Sequence, residues 1–420
     1  MTQGADKSIV ILVILLVLIG LTAVYSSTAV VPPGLQKGDA ALDPMSQFVY
    51  LKKQGFTMLL GILALFVAYK IPLKFLRKLA IPLLLISLIG LLLVFTPMGI
   101  TAGGARRWLR LWPSSFQPSE LVKLSMVLFL AWFASTAFFN REKFFLFLIP
   151  IAVMAVFQLI FMLQPDFGAA MSLAILTLTL LFLAGARIRY LFYIALGALP
   201  VLVYLLMEPY RLKRIVTFLD PWKDPQGAGF QLTQSFIAFG SGGLQGVGLG
   251  ESKQKLAFLP EVHTDFIFSL IGEELGFIGA AVVVTLFLML FFRGFMIARK
   301  TEDPFAYYLA TGISLMIAIQ AIVNFAVVTG LAPTKGLPLP FISYGGSSLV
   351  VSLIAVGLLL NVSRYRTAKP TRGLMHIGGT AEDRGAEPSL ASKTSQYALG
   401  RGYGQYRNRA ASLRRSGRKQ

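Results

Sequence analysis

Ten stretches of this chain are apolar enough, and close enough to the roughly 20 residues of a bilayer-crossing helix, to dictate its architecture. They cover residues 8–30, 55–69, 79–97, 119–138, 144–163, 168–186, 189–207, 266–292, 305–329 and 347–363. Hydrocarbon offers no water to a free N–H or C=O, so such stretches must be helices that satisfy their own backbone. With 55% hydrophobic residues among 420 and a mean hydropathy of +0.70, the chain is too apolar for a water-soluble protein of its length. The expected fold is all-α: a polytopic membrane protein with about ten transmembrane helices. The first stretch reads as a retained helix and not a signal peptide, because its apolar core is long and only Ser27-Thr28-Ala29 resembles a cleavage site. The absence of cysteine excludes disulfides and thiolate metal sites and says nothing of redox compartment.

Lysine and arginine set the orientation. The even-numbered loops hold Lys70, Lys74, Arg77 and Lys78, then Arg141 and Lys143, then Arg187 and Arg189, then Arg293, Arg299 and Lys300. Beyond residue 363, thirteen basic residues stand against three acidic, about half of the net +20. Both termini are therefore expected in the cytoplasm. A large loop, 208–265, then lies outside the cell between helices 7 and 8. The domain plan is a membrane domain over 1–366 and a basic, disordered cytoplasmic tail over 367–420, too polar to bury a core and suited to anionic lipid. No nucleic-acid partner is implied. The outer loops nevertheless carry Arg106, Arg107, Arg110, Arg211, Lys213, Arg214, Lys253, Lys255 and Lys335. Cations there run against the bias. Two readings stay open: anchors for lipid head groups, or an anion site, since guanidinium forks suit phosphate.

Where the large loop meets the eighth run lies Phe258-Leu259-Pro260-Glu261-Val262-His263-Thr264-Asp265-Phe266-Ile267-Phe268. A carboxylate beside a span is expensive unless solvated, paired or at work. Asp265 suits a helix cap and suits catalysis equally well. Read as one helix, Asp265, Ser269, Gly272 and Glu273 share a face. Glu273 then stands roughly 12 Å along the axis, too far to form a close carboxylate pair. The run Phe116-Gln117-Pro118-Ser119-Glu120-Leu121-Val122-Lys123 opens the fourth span. Pro118 fits a first helical turn, Glu120 favours the helix dipole, and Lys123 at i+3 can pair with it. Trp108 follows Gly103-Gly104-Ala105-Arg106-Arg107 and is either an interfacial belt residue or part of a site. Gln164-Pro165-Asp166-Phe167-Gly168 is a short outer turn in which Asp166 is the one charge, open to turn chemistry or to a site. The glycines between Gly240 and Gly250 match neither a dinucleotide fingerprint nor a phosphate loop. Tight turns and a substrate-facing loop are both open for them. Residues 231–239 pattern as a short amphipathic helix at the membrane surface. Gly330 to Ser348, with Pro333, Pro338 and Pro340, reads as a rigid irregular outer loop that includes Ser343 and Tyr344. Irregular backbone there must line a cavity or pack on protein.

These pieces carry a resemblance. Gly104 to Trp108, Phe116 to Lys123, Gln164 to Gly168, Gly240 to Gln254, Leu259 to Gly276 and Pro333 to Ser348 are similar to motifs of the SEDS family (shape, elongation, division and sporulation). Pro333-Thr334-Lys335-Gly336 and Ile271 to Gly276 look more like its division branch, FtsW, than its elongation branch, RodA. The resemblance implies a peptidoglycan glycosyltransferase that polymerises lipid II on the outer face of the cytoplasmic membrane, at the division septum. It implies Asp265 as the catalytic residue, with Glu120 and Lys123 nearby and Trp108 at a functional position. His263 and Thr264 belong to the same motif. Arg106, Arg107, Gln164, Asp166, Arg211, Arg214, Lys335, Ser343 and Tyr344 are the expected substrate-binding residues. A class B penicillin-binding protein, a transpeptidase, is the implied partner, with other division proteins.

The chemistry can be argued without the family. An acceptor sugar hydroxyl must lose a proton as it attacks the donor's anomeric carbon, and one carboxylate can serve as general base. Glycoside hydrolases need a second carboxyl because their leaving group needs an acid. A lipid pyrophosphate leaves as an anion and needs cations instead, from Arg and Lys or from a divalent metal such as Mg or Mn. Lys123 is expected to keep Asp265 ionised, with Glu120 holding the ammonium in place. The rival reading is a transporter that flips lipid-linked precursors, since intramembrane charges and broken helices mark transporters too. Transport sites lie near the midplane, whereas the charges here fall at outer helix ends.

Overall fold

The computed structural model describes residues 4–28, 46–102, 105–111, 114–136, 144–254, 263–334 and 336–365. Pro32-Pro33-Gly34, Arg141, Lys143, Lys255, Leu259, Pro260, Lys335 and the basic tail lie outside the described residues. Seven helices follow the first seven apolar runs: α1 (Lys7–Thr28), α2 (Ser46–Lys70), α3 (Leu73–Leu93), α4 (Pro118–Ser135), α5 (Phe144–Leu163), α6 (Phe167–Leu183) and α7 (Ile188–Leu206). The large loop contributes α8 (Pro209–Leu219) and α9 (Phe230–Gly242). The eighth run holds α10 (Ile267–Glu274) and α11 (Gly276–Arg299), and α12 (Pro304–Val328) and α13 (Gly346–Ser363) complete the bundle. Among the described residues 8 helices are long and apolar enough to cross a membrane, while α6 and Ile188–Pro200 of α7 are apolar but shorter. This is a multi-pass membrane protein.

The all-α architecture stands, and the plain loop expected between α3 and α4 needs correction. Residues there form a three-stranded antiparallel sheet of β1 (Gly99–Ala102), β2 (Ala105–Leu111) and β3 (Ser114–Phe116), in the order β1-β2-β3. A loop outside the bilayer can satisfy its backbone with a ladder as well as with a helix, and β-branched and aromatic residues such as Ile100, Thr101 and Trp108 favour the pleated form. A second correction lengthens the third helix, expected from 79, back to Leu73 behind Pro72. Lys74, Arg77 and Lys78 thus lie exposed on its first turns, where long stems can run along apolar surface while the charges reach water.

The third correction has more consequence. The apolar run 266–292 is not one helix. It breaks between Glu274 and Gly276, whose φ of 66° lies in the left-handed region that glycine adopts without strain. A break exposes carbonyls and N–H groups that an unbroken helix would pair. The glycine-rich segment takes up four of them. Val247 and Gly248 donate N–H to the Glu273 and Glu274 carbonyls at 3.0 and 3.1 Å, while the Gly243 and Leu244 carbonyls accept from Phe277 and Ile278 at 2.9 and 3.2 Å. The buried Glu273 side chain accepts from Ser252 Oγ and from the Lys253 N–H at 3.0 Å, so it belongs to this splice. Of the two roles open for the glycines, tight structural turns is the one the backbone adopts.

The centre of the bundle is α4, α12 and α13, the most buried of the long helices. Small residues let them seat closely: a Cβ on Gly357 of α13 would come within 2.4 Å of the Leu65 carbonyl oxygen of α2. Leu59, Leu63, Phe66, Ile86 and Leu159 point outward from α2, α3 and α5. One end of the bundle gathers the start of α1, the end of α11 and the end of α13. There Asp6 N–H donates to Ser363 Oγ at 3.2 Å and Arg293 lies 3.4 Å from the Asp6 carboxylate. Arg77 and Asp303 pair at 2.8 Å across the starts of α3 and α12. The starts of α4, α6, α10 and α13 lie at the opposite end.

Candidate active site

Asp265 does not cap α10. Phe266 holds the N-cap position, no side chain bonds there, and Asp265 sits one residue earlier in the turn 263–266. Three consecutive carbonyls of this turn are held from outside it. Tyr344 N–H donates to the His263 carbonyl at 2.8 Å, Ser343 Oγ donates to the Thr264 carbonyl at 2.5 Å, and Asn324 Nδ2 donates to the Asp265 carbonyl at 2.8 Å. The His263 and Tyr344 rings meet edge-on at 5.7 Å. Ser343 Oγ also accepts from Leu339 N–H at 2.8 Å, and Asn324 Nδ2 also donates to the Leu337 carbonyl at 2.9 Å. The irregular segment 336–345 is thereby sewn to the aspartate turn. It is anchored beneath as well. Gly20 of α1 lies so close that a Cβ there would come within 2.6 Å of the Phe341 carbonyl oxygen. The Asp265 side chain lies against Gly336, where a Cβ would approach Oδ2 to 2.6 Å, and it is only partly buried.

Glu120 and Lys123 sit on the first turns of α4, which Pro118 opens at N1. Both are buried, and Lys123 Nζ lies 2.8 Å from Glu120 Oε1. The ammonium also donates to Gln320 Oε1 at 2.6 Å. Gln320 in turn donates to the Pro338 carbonyl at 2.9 Å and to Ser348 Oγ at 3.3 Å. Lys123 therefore reaches the aspartate turn through α12 and segment 336–345, not by a hydrogen bond of its own. Gln320 and Asn324, one turn apart on α12, are the residues that sequence reasoning missed. Two amides at i and i+4 inside an apolar run were the available signal.

Arg107 and Asp166 form a third group. In the β1–β2 register Ile100 faces Trp108 and Thr101 faces Arg106, which leaves Arg107 as the extra residue of a bulge. Bulges re-aim side chains, and Arg107 Nη1 comes to 3.6 Å from Asp166 Oδ1. Asp166 also caps α6 by accepting from Ala169 N–H at 3.2 Å. Its carboxyl is pushed up by burial, with Arg107, the Ala169 N–H and Lys123 pulling the other way and Glu120 adding to the rise. The same turn touches segment 336–345: a Cβ on Gly168 would sit 3.6 Å from Leu337 and 3.8 Å from Asp166 Oδ1.

The remaining expected residues go elsewhere. Gln164 spends its amide on the Leu91 carbonyl at 2.9 Å, tying the α5–α6 turn to α3. Arg106 donates to the Phe95 carbonyl at 3.3 Å and to that of Thr96, closing the end of α3. Both side chains hold the scaffold in this structure. Arg214 donates to the Thr334 carbonyl at 3.1 Å, linking α8 to the segment beside Gly336. Trp108 is half-buried on β2. The backbone of Arg211 lies in α8, its side chain lies outside the described residues, and so does Lys335. Among the described residues no three carboxylate or imidazole groups converge on a metal position.

The family model described as "Cell cycle protein", for FtsW, RodA and SpoVE, matches residues 6–368. The probable peptidoglycan glycosyltransferase FtsW of Geobacter sulfurreducens is 46% identical over 369 residues, 87% of this chain and 96% of that one. Stage V sporulation protein E of Bacillus subtilis is 43% identical over 364 residues, 86% and 97% of the two chains. Among solved structures, a chain of a peptidoglycan synthase complex that coordinates polymerization and crosslinking superposes with a TM-score of 0.69 at 33% identity, covering 86% of this chain and 98% of its own. Rod shape determining protein RodA of Thermus thermophilus gives a TM-score of 0.62 at 29% identity, with coverage of 87% and 98%. The chain belongs to the FtsW, RodA and SpoVE family of cell cycle proteins, the SEDS family that its motifs resemble.

Proposed function

We propose that this chain is a peptidoglycan glycosyltransferase that polymerises lipid II into glycan strands for septal wall synthesis. The observation that carries this reading is the turn at 263–266: every carbonyl from His263 to Asp265 is pinned, while the Asp265 carboxylate stays partly exposed at one end of a membrane bundle. That is a base held by its backbone and open to substrate. As the acceptor's 4-hydroxyl oxygen bonds to the donor's anomeric carbon, the hydroxyl proton passes to Asp265. The bond from that carbon to the pyrophosphate oxygen breaks, and the lipid pyrophosphate departs with the electron pair. Cations at the same end, among them Arg107 and Lys123, with Arg211 and Lys335 expected there from their place in the sequence, favour the charge that develops. A substrate with a lipid tail can enter sideways between helices, which suits a bundle whose outer helices present bare apolar faces.

The clustering of Asp265, Glu120, Lys123 and Asp166 at one end supports one-sided chemistry over transport through the midplane. In this reading the protein sits in the bacterial cytoplasmic membrane with both termini inside, and works with a class B penicillin-binding protein and other division proteins. The test is purified protein, with and without that transpeptidase, incubated with lipid II and assayed for glycan polymer. Polymer from the wild type and none from Asp265→Asn supports the reading. Equal polymer from both removes Asp265 as the base.

A further inference from the structure

Buried polar atoms nearly always find partners, so those that do not ask for an explanation. Two such atoms of opposite kind occur on a single ion pair. Among the described residues, Arg107 Nε and Asp166 Oδ2 are both buried and both without a protein partner. An arginine and a carboxylate left to themselves close into a bidentate fork. Here the fork is open, with the nearest atoms, Arg107 Nη1 and Asp166 Oδ1, at 3.6 Å. The opening is built in from both sides. Asp166 is fixed by its α6 cap to Ala169, and Arg107 is fixed by the β2 bulge. The Asp166 carboxylate cannot turn far without undoing its cap, and the bulge sets the backbone from which Arg107 reaches it. The missing pieces are one group that accepts from Nε–H and one that donates to Oδ2. A hydroxyl does both at once. Asp166 is 3% exposed, while the Arg107 side chain keeps 25% of its surface, so a group that meets the two buried atoms must come in from the Arg107 side.

We infer that Arg107 and Asp166 form a subsite for one hydroxyl of the sugar substrate, separate from the hydroxyl that Asp265 deprotonates. This rests on the glycosyl-transfer reading above and adds to it a recognition contact that takes no part in bond making. The subsite lies beside the reacting end, because the Asp166 turn packs on Leu337 and Asn324 bridges Leu337 to Asp265. A hydrogen bond to a charged group supports discrimination of about tenfold or more against a substrate that lacks it.

The experiment uses lipid II and a panel of analogues that each lack one sugar hydroxyl, with the full chain and its transpeptidase partner. In the wild type one analogue that still carries the reacting 4-hydroxyl should fall about tenfold in kcat/KM. Asp166→Asn keeps the α6 cap and cannot accept at that position, so the penalty for this analogue should shrink toward onefold while the other penalties persist. Arg107→Lys keeps the charge, removes Nε–H and should erase the same penalty, which covers an Asp166 variant that folds poorly. Losses that multiply for every analogue overturn the subsite and leave a hydrated ion pair. No polymer from wild type with native lipid II fails at the earlier step and overturns both readings together.

Discussion

Asn324, Ser343 and Tyr344 hold the turn by the carbonyls of residues 263–265. Asp265→Asn keeps these three carbonyl anchors of its turn. It should insert and melt like wild type yet lose glycan polymerisation by at least about 10²-fold, the usual weight of a positioned general base; a thermal melt run beside the polymer assay separates the two effects. Asp166 gives a prediction of opposite character. Burial raises its folded pKa above 3.8, so the folded state holds this proton more tightly than the unfolded chain does. Stability from this group is fully present below the unfolded pKa and is lost as pH rises through the folded one. Asp166→Asn cannot titrate. Relative to that variant, wild type should gain melting temperature as pH falls from neutral toward acid, and a constant difference across the range would contradict the burial argument. Sequence alone made the Glu120–Lys123 pair legible, because i, i+3 spacing at a helix start is a local rule. It could not reveal Gln320 and Asn324, whose roles depend on carbonyls of the 263–266 turn and of segment 336–345, distant in the chain.

At the scale of elements, the splice between α10 and α11 joins the glycine segment to the aspartate helix. Gly276 combines a φ of 66° with backbone so close that a Cβ would meet Gly246 N at 2.3 Å and the Leu244 carbonyl oxygen at 2.6 Å. Gly276→Ala meets both left-handed strain and a clash with backbone, which cannot step aside. Strain of this kind alone is about 1–3 kcal/mol. The variant should melt clearly lower in detergent, whereas Gly197→Ala, with nothing within 4 Å of the new carbon, should not; equal melting of the two would mean the splice is soft. The break was the least legible element, since periodicity cannot cut a continuous apolar run. Glu273, Glu274 and Gly276 were its only marks. The small sheet escaped for a related reason: Arg106, Arg107 and Arg110 read as loop cations, and only the ladder shows that Arg107 is a bulge. The helices themselves were legible, because bilayer thickness and backbone hydrogen bonding leave a chain of this hydropathy few alternatives.

Across the whole molecule, the end that carries Asp265 is a convergence of three buried central helices on one irregular segment. From α4, Lys123 bonds Gln320; from α12, Gln320 bonds Pro338 and Asn324 bonds Leu337; at the start of α13, Ser348 bonds Gln320 and Ser347 accepts from Gln117 N–H at 2.9 Å. If Lys123 serves the reaction through this chain, its effect must pass through Gln320. Lys123→Met leaves Glu120 buried without its cation, a loss of about 3–5 kcal/mol when one partner of a buried pair is removed. Gln320→Leu removes the donor to Pro338 and the acceptor for Lys123 together. A shared path predicts that the double variant polymerises about as slowly as the worse single one, with a coupling of about 1 kcal/mol or more. Independent roles predict that the two losses in kcat/KM multiply. A pH–rate profile separates the path further. If Lys123 instead sets the ionisation of Asp265 across space, Lys123→Met moves the acidic limb upward and recovers rate at higher pH, while Gln320→Leu does not. Four proteins, each assayed against lipid II over a range of pH, decide between a relay through α12 and a field acting directly on the base.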